Sequence, residues 1–184
     1  MKSRIDRLVD RYATHCAFPW EPHLAGPQKV WFAIYDKTDE LKLRYRLPAF
    51  DLATREAGHG FHLVDVTDTF GRWLSGLDYL EAIFAEPELL APAYPQYLDH
   101  LVSEIRATFE QATPNDIVAL LGVGCLFPMV RVAELVGALA PHVPGRLLVF
   151  FPGEYQDNNY RLLDARDGWN YLAVPLIAPT GADT

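Results

Sequence analysis

Apolar residues recur at Ile5, Leu8, Val9 and Tyr12, the i, i+3, i+4, i+7 stripe of an amphipathic helix over residues 4–14. Ser3 followed by Asp6 predicts a capping arrangement at its start. Pro19, Pro22, Gly26 and Pro27 then break the chain, so 17–27 reads as a link that sets the helix off from the remainder of the chain. Such a helix either packs on the domain edge or is offered to a partner. KVWFAIY at 29–35 reads as a first buried strand. The next segment is ambiguous. Leu41, Leu43, Tyr45 and Leu47 alternate with polar residues like a strand, whereas Thr38, Asp39 and Glu40 open it like a helix. From 48 to 57 the pattern is helical, with Pro48 at a tolerated first position and Gly58 as terminator. A helix over most of 39–57 is favoured.

FHLVDV at 61–66 is a second strand, and 69–77 and 78–84 read as short helices, with Asp78 and Glu81 as a capping box. Beyond Pro87, Pro92 and Pro95, a longer helix holds its period through Leu98, Leu101, Val102, Ile105 and Phe109. A turn at 113–116 leads to IVALL at 117–121, a third strand, and then to Gly122 and Gly124. Residues 127–139 read as an amphipathic helix and RLLVFF at 146–151 as a fourth strand. A polar loop over 152–159 precedes 161–167, and 171–174 is a candidate fifth strand. Short strands alternating with helices predict an α/β fold: a single three-layer domain with a mostly parallel sheet of about five strands. The expected organisation is a helix and link over 1–28, an α/β domain over 29–178 and a frayed tail over 179–184. Ligands of such folds sit beyond the carboxyl ends of the strands. That edge would collect Asp36, Asp65 or Asp68, the Gly122–Gly124 turn and residues 152–155.

With 184 residues, half of them hydrophobic and 22% charged, the chain has the composition of one globular domain. Sixteen basic against 24 acidic residues give a net charge of −8, a poor balance for gripping phosphate backbones, so strong direct nucleic-acid binding is not expected. Cys16 and Cys125 lie far apart and form no CxxC pair; two buried, reduced thiols in a cytoplasmic protein are the expectation. The N-terminal residues lack the continuous apolar stretch of a signal peptide, and the longest apolar run, 117–130, is too short to span a bilayer.

Chemistry-bearing motifs are sparse. GxxxxGK[ST] and GxSxG do not occur. Gly122-Val-Gly124-Cys125 has half the form of a dinucleotide fingerprint but carries Phe127 at the third glycine position, and a plain turn is the better reading. Cys125 follows a strand and suits either a helix-terminal thiolate or a small residue buried in a tight turn, the latter favoured. His59 and His62 straddle a turn and a strand start, which suits a hydrogen-bonded or exposed pair better than a metal site with Asp65. Asp36, Asp65 and Asp68 at strand ends are either Mg²⁺ ligands or turn formers.

The richest polar segment runs from Phe151 to Tyr171, where aromatic residues mix with acids, arginines and asparagines directly after a buried strand. It suits protein recognition, and equally a loop whose polar groups satisfy one another. FFPGEYQDNNYRLLDARDGWNYLAVP, with upstream YDKTDELKLRYRLPAF and LLGVGCLFPMVRVAELV, resembles the BrxB family of BREX (bacteriophage exclusion) systems over 30–175. That resemblance implies a role beside a PglZ-like protein of the alkaline-phosphatase superfamily, a methyltransferase and an ATPase in restricting phage DNA. It supplies no catalytic motif. The chain also resembles a P-loop ATPase core that lacks its phosphate loop.

Together these readings favour a non-catalytic interaction component without a cofactor or bound metal. It would bind a PglZ-like protein and other BREX components and is a possible homodimer. The expected functional surface comprises Arg44, Arg131, Glu154, Tyr155, Asn158, Asn159, Tyr160 and Arg161, with the arginines pairing with carboxylates and Tyr155 and Tyr160 as contact anchors. The alternative is a metal-dependent nuclease or nucleotide phosphohydrolase using Asp36, Asp65 and Glu154. A nucleic-acid or nucleotide binder without turnover is a third, disfavoured by the acidic balance.

Overall fold

A computed structural model describes residues 2–165 and 168–179. Parts of two expected segments, 161–167 and the tail 179–184, lie outside the described residues. Among the described residues six strands, β1 (Val30–Tyr35), β2 (Gly60–Asp65), β3 (Asp116–Leu121), β4 (Arg146–Gln156), β5 (Asn159–Leu162) and β6 (Val174–Ile177), build one sheet. Five of them run parallel in the order β2-β3-β4-β1-β6, and β5 folds back antiparallel on the far end of β4. The helices are α1 (Arg4–Cys16), α2 (Glu40–Glu56), α3 (Thr69–Ser75), α4 (Leu80–Ala85), α5 (Tyr94–Phe109) and α6 (Val132–Leu139).

Strand alternation splits the core in two. Trp31, Ala33 and Tyr35 of β1 pack with Leu8 and Tyr12 of α1 and Leu43 and Phe50 of α2. Val30, Phe32 and Ile34 face the other way, toward Leu101 and Ile105 of α5 and Leu135 and Leu139 of α6. Because both faces are covered, the central strands read as unbroken apolar runs, the mark of a buried parallel sheet. The expected three-layer α/β architecture is the one found.

Local signals act where expected at the first helix: Ser3 accepts from the Asp6 amide at 3.1 Å, and Asp6 reciprocates on Ser3. The link after α1 is pinned at the amino edge of the sheet. There the buried Arg146 guanidinium lies 4.7 Å from the Trp20 ring and donates to the Glu21 carbonyl at 3.1 Å.

Several boundaries differ from expectation. Pro48 lies inside α2, not at its start, and the helix continues because Leu43 and Phe50 anchor both of its halves in the core. No side chain caps α4; the Leu80 amide donates to the Leu77 carbonyl at 3.2 Å, so the preceding turn does what Asp78 was expected to do. The sixth helix starts at Val132 instead of 127, since Phe127 precedes a proline and takes extended angles (φ −74°, ψ 136°). The last parallel strand is Val174–Ile177 instead of 171–174. Residues 152–159 are no loop: β4 runs through Gln156 and returns as β5 through Asp157 and Asn158, with φ of 51° and 62°. A two-residue turn with both φ values positive matches the right-handed twist of the flanking strands, and Asp and Asn tolerate that region.

Candidate functional site

The chain leaves β1 toward the α2 face and leaves β4 toward the opposite face, where Tyr160 and Leu162 are buried. Adjacent strands whose exits diverge open a crevice at their carboxyl ends. A larger and a smaller hollow at this edge share Lys37 and Leu163.

The smaller, about 330 Å³, is bordered by Glu40, Arg44, Thr67, Gly122 and Cys125. Arg44 organises it. Its guanidinium pairs with Glu40 at 2.7 Å and Asp65 at 2.9 Å and donates to the Thr67 hydroxyl at 2.7 Å. Tyr35 in turn donates to Glu40. Partial burial pushes the Asp65 carboxyl up, but bonds from the Thr67 hydroxyl and amide and from Arg44 outweigh it and hold the carboxyl below its ordinary range. Gly122 has φ +84°, and a Cβ there would fall against the Thr67 hydroxyl and 3.0 Å from Asp65 Oδ1. Cys125 is exposed in a short 3₁₀ turn, contrary to the expected buried thiol, because Val123 and Leu126 take the inward positions of that turn.

The larger hollow, about 530 Å³, lies between α1, the end of β1 and the projecting β4–β5 hairpin. Ile5, Leu8, Ile34 and Ile177 line its apolar part, and Asp36, Asp39, Glu154 and Asp164 its acidic part. Asp36 Oδ1 accepts from the Thr38 amide at 2.8 Å, which caps the turn entering α2. In a P-loop core this position, between a strand and the helix after it, carries the phosphate loop. Here it carries Asp36, Asp39 and Glu40, each paired with a neighbouring Arg or Lys, and the Thr38 amide is already engaged by Asp36.

The residues expected to form one functional surface fall into three places. Arg44 is at the smaller hollow. Arg131 is exposed at the start of α6 and makes no side-chain hydrogen bond or ion pair among the described residues. Glu154, Tyr155, Asn158, Asn159, Tyr160 and Arg161 sit on the hairpin. Glu154 and Arg161 are exposed cross-strand neighbours, and the Tyr155 hydroxyl donates to Asn158 at 3.0 Å. The Asn159 amide holds the Asp157 carbonyl at 3.2 Å. Tyr160 is not on the surface where the sequence reading puts it. It is 0% exposed, donates to the Ala173 carbonyl at 2.9 Å and lies 4.6 Å from the Phe32 ring. Strand alternation is the reason: Tyr160 and Leu162 point inward while Arg161 points out.

Asp36 and Asp65 are each committed to neighbouring donors; Glu154 shares the lining of the larger hollow with Asp36, and Asp65 is not part of that lining. Among the described residues, no three His, Cys, Asp or Glu side chains are grouped so as to hold a metal ion. His59 bonds Asn115 at 2.7 Å and stacks on Trp20, and His62 bonds Asp116 at 3.2 Å, all at the amino end of the sheet.

One surface is not legible in the sequence. On α2, Leu41 and Tyr45 are 82% and 83% exposed and Leu52 is 57% exposed, at i, i+4 and i+11, on the side opposite Leu43 and Phe50. Leu63, on the neighbouring edge strand β2, is exposed as well. The signal was the alternation of Leu41, Leu43, Tyr45 and Leu47 itself. A helix that is apolar on two opposed faces shows the same short-range pattern as a strand.

Among the described residues no helix is long and apolar enough to cross a membrane. A search of curated proteins and one of solved structures each returned no match. A family model, described as BREX protein BrxB, matches residues 81–176, from α4 through the hairpin to β6. With more than half its length in that match, the chain belongs to the BrxB family, a component of BREX phage defence.

Proposed function

We propose that this BREX component works without catalysis, in the cytoplasm, by docking a PglZ-like partner, and that the outward face of α2 is part of the docking surface. The observation that carries this reading is the double-faced helix. Leu41, Tyr45 and Leu52 face solvent from a helix whose other side is fully engaged in the core. Large apolar side chains exposed along one helix face suit an interaction surface, and aromatic residues concentrate binding energy there. The strand-end carboxylates are compatible with the same reading, since Asp36 accepts from Thr38, Asp65 accepts from Thr67 and Arg44, and among the described residues no group of three His, Cys, Asp or Glu side chains could hold a metal ion.

The test is recovery of the partner. A tagged chain expressed with its operon should co-purify with the PglZ-like protein, and Leu41→Lys with Tyr45→Lys should abolish that recovery while leaving the melting temperature in place. Light scattering of the isolated chain separates the other occupant. A dimer that the same pair of substitutions dissociates would assign the stripe to a second copy and overturn its assignment to the partner.

A further inference from the structure

We propose that two copies of this chain pair through strand β2, antiparallel about a two-fold axis at Leu63, and join their sheets into one. This concerns a sheet edge and does not depend on docking through α2. Strands β2 and β6 end the run of parallel strands. β6 is four residues long and carries Pro175, which lacks a donor and blunts that edge. β2 has six residues, GFHLVD, with neither proline nor lysine among them. Its backbone groups alternate in direction. The Gly60 amide donates to the Asn115 carbonyl at 3.3 Å and the Val66 amide to the Leu121 carbonyl at 2.9 Å, so residues 60, 62, 64 and 66 are turned toward β3. Phe61, Leu63 and Asp65 turn their amides and carbonyls outward, where no partner meets them among the described residues.

A second copy answers this edge group for group. With Leu63 opposite its own copy, Phe61 stands opposite Asp65 on both sides of the axis. Each of the three residues then exchanges both backbone bonds with its opposite number, and none is left over. Sliding the pairing by two residues in either direction carries Phe61 or Asp65 past the end of the other strand. Charge is matched as well. On a chain of net charge −8, repulsion works against self-association, but the one carboxylate of β2, Asp65, is neutralised by Arg44 at 2.9 Å. The pairing sets each Asp65 against an aromatic ring and keeps the two carboxylates about 13 Å apart along the strands. Phe61 packs with the core on the α2 side of the sheet, and Leu63, two residues on, projects to that same side and is 44% exposed. The two Leu63 side chains meet at the axis and cover one another. Leu41, Tyr45 and Leu52, on the side of α2 opposite Leu43 and Phe50, face away from the sheet and stay free for another partner.

Sedimentation velocity of the full chain over a concentration series should show a dimer. Leu63→Lys brings two ammonium groups together at the axis and should raise the dimer dissociation constant more than about tenfold at an unchanged melting temperature. Leu41→Lys with Tyr45→Lys should leave the dimer in place. Register is read by cross-linking in a Cys125→Ser background, where the remaining thiol, Cys16, is buried. Opposed Cα atoms of a hydrogen-bonded pair stand about 5.5 Å apart, within disulfide reach, so Leu63→Cys should cross-link under mild oxidation. Phe61→Cys, whose copies lie about 13 Å apart, should not. A dimer that Leu63→Lys leaves intact, or cross-linking at position 61 in place of 63, overturns the proposal. A monomer at every concentration overturns it too and leaves the edge to a strand of a different protein. Partner recovery through α2 does not enter these readouts, so either result can fail without the other.

Discussion

At Gly122 the chain leaves β3 with φ +84° and passes directly against Thr67 and Asp65. Glycine meets both demands, a left-handed backbone and no Cβ. Gly122→Ala should therefore lower unfolding free energy by about 2 kcal/mol in urea denaturation, through backbone strain and displacement of the Thr67–Asp65 pair. Arg44 is the counterpart on the opposite side of the hollow. Arg44→Met keeps the stem but strips Glu40, Asp65 and Thr67 of their shared donor, and should cost about 1–2 kcal/mol because the groups are partly exposed and water replaces some of the loss. That Arg44 would pair with carboxylates was legible from residue type alone; which carboxylates was not, since Asp65 lies 21 residues away and meets it only through packing of α2 beside β2. The burial of Tyr160 was hidden in the same way. Its inward direction depends on the hairpin register, and that register is set by a turn at Asp157 and Asn158 without the glycine that usually announces it.

Helix α2 shows how one element serves two surfaces. Leu43 and Phe50 are fully buried, so Leu43→Ala should cost about 2–5 kcal/mol and leave partner recovery to fall only with stability. Leu41 and Tyr45 are largely exposed, so Leu41→Lys with Tyr45→Lys should change unfolding free energy by less than about 0.5 kcal/mol, while partner recovery is lost. The opposite responses separate a stability effect from a docking effect on the same helix. Elements with one apolar face, such as α1 and α5, were readable from their period, and buried strands from their unbroken apolar runs. Alternation blurred α2 because both of its faces are apolar. Helix ends blurred where proline geometry or a preceding turn, and not a capping side chain, decided the start.

Across the whole molecule, the order β2-β3-β4-β1-β6 gathers the ends of β1, β2, β3 and β4 into one edge and sends the β4–β5 hairpin beyond it. The alternation of strands and helices predicts a helix-covered parallel sheet, but strand order is settled by long-range packing that no local pattern encodes. Acid should loosen this assembly of layers. Burial, reinforced by Arg11 and Arg146, holds the His15 imidazole below its ordinary 6.5, so the unfolded chain takes the proton more readily. Stability is then complete above about 6.5 and declines as pH falls through that value toward the folded one. Asp65 and Asp116, both held below 3.8, add a second loss only as pH drops beneath their ordinary range. Melting temperatures should fall between pH 7 and 5, and His15→Phe, which keeps an aromatic edge against Trp31, should flatten that interval.

The most direct measurement is co-purification of the tagged chain from its operon, with subunits identified by mass, for the unaltered protein beside Leu41→Lys with Tyr45→Lys. Stable recovery of the PglZ-like protein with the first, and its loss with a second that melts at the same temperature, is the expected result. Undiminished recovery with the folded double variant, or no recovery with either while the operon still restricts phage, would contradict docking through α2.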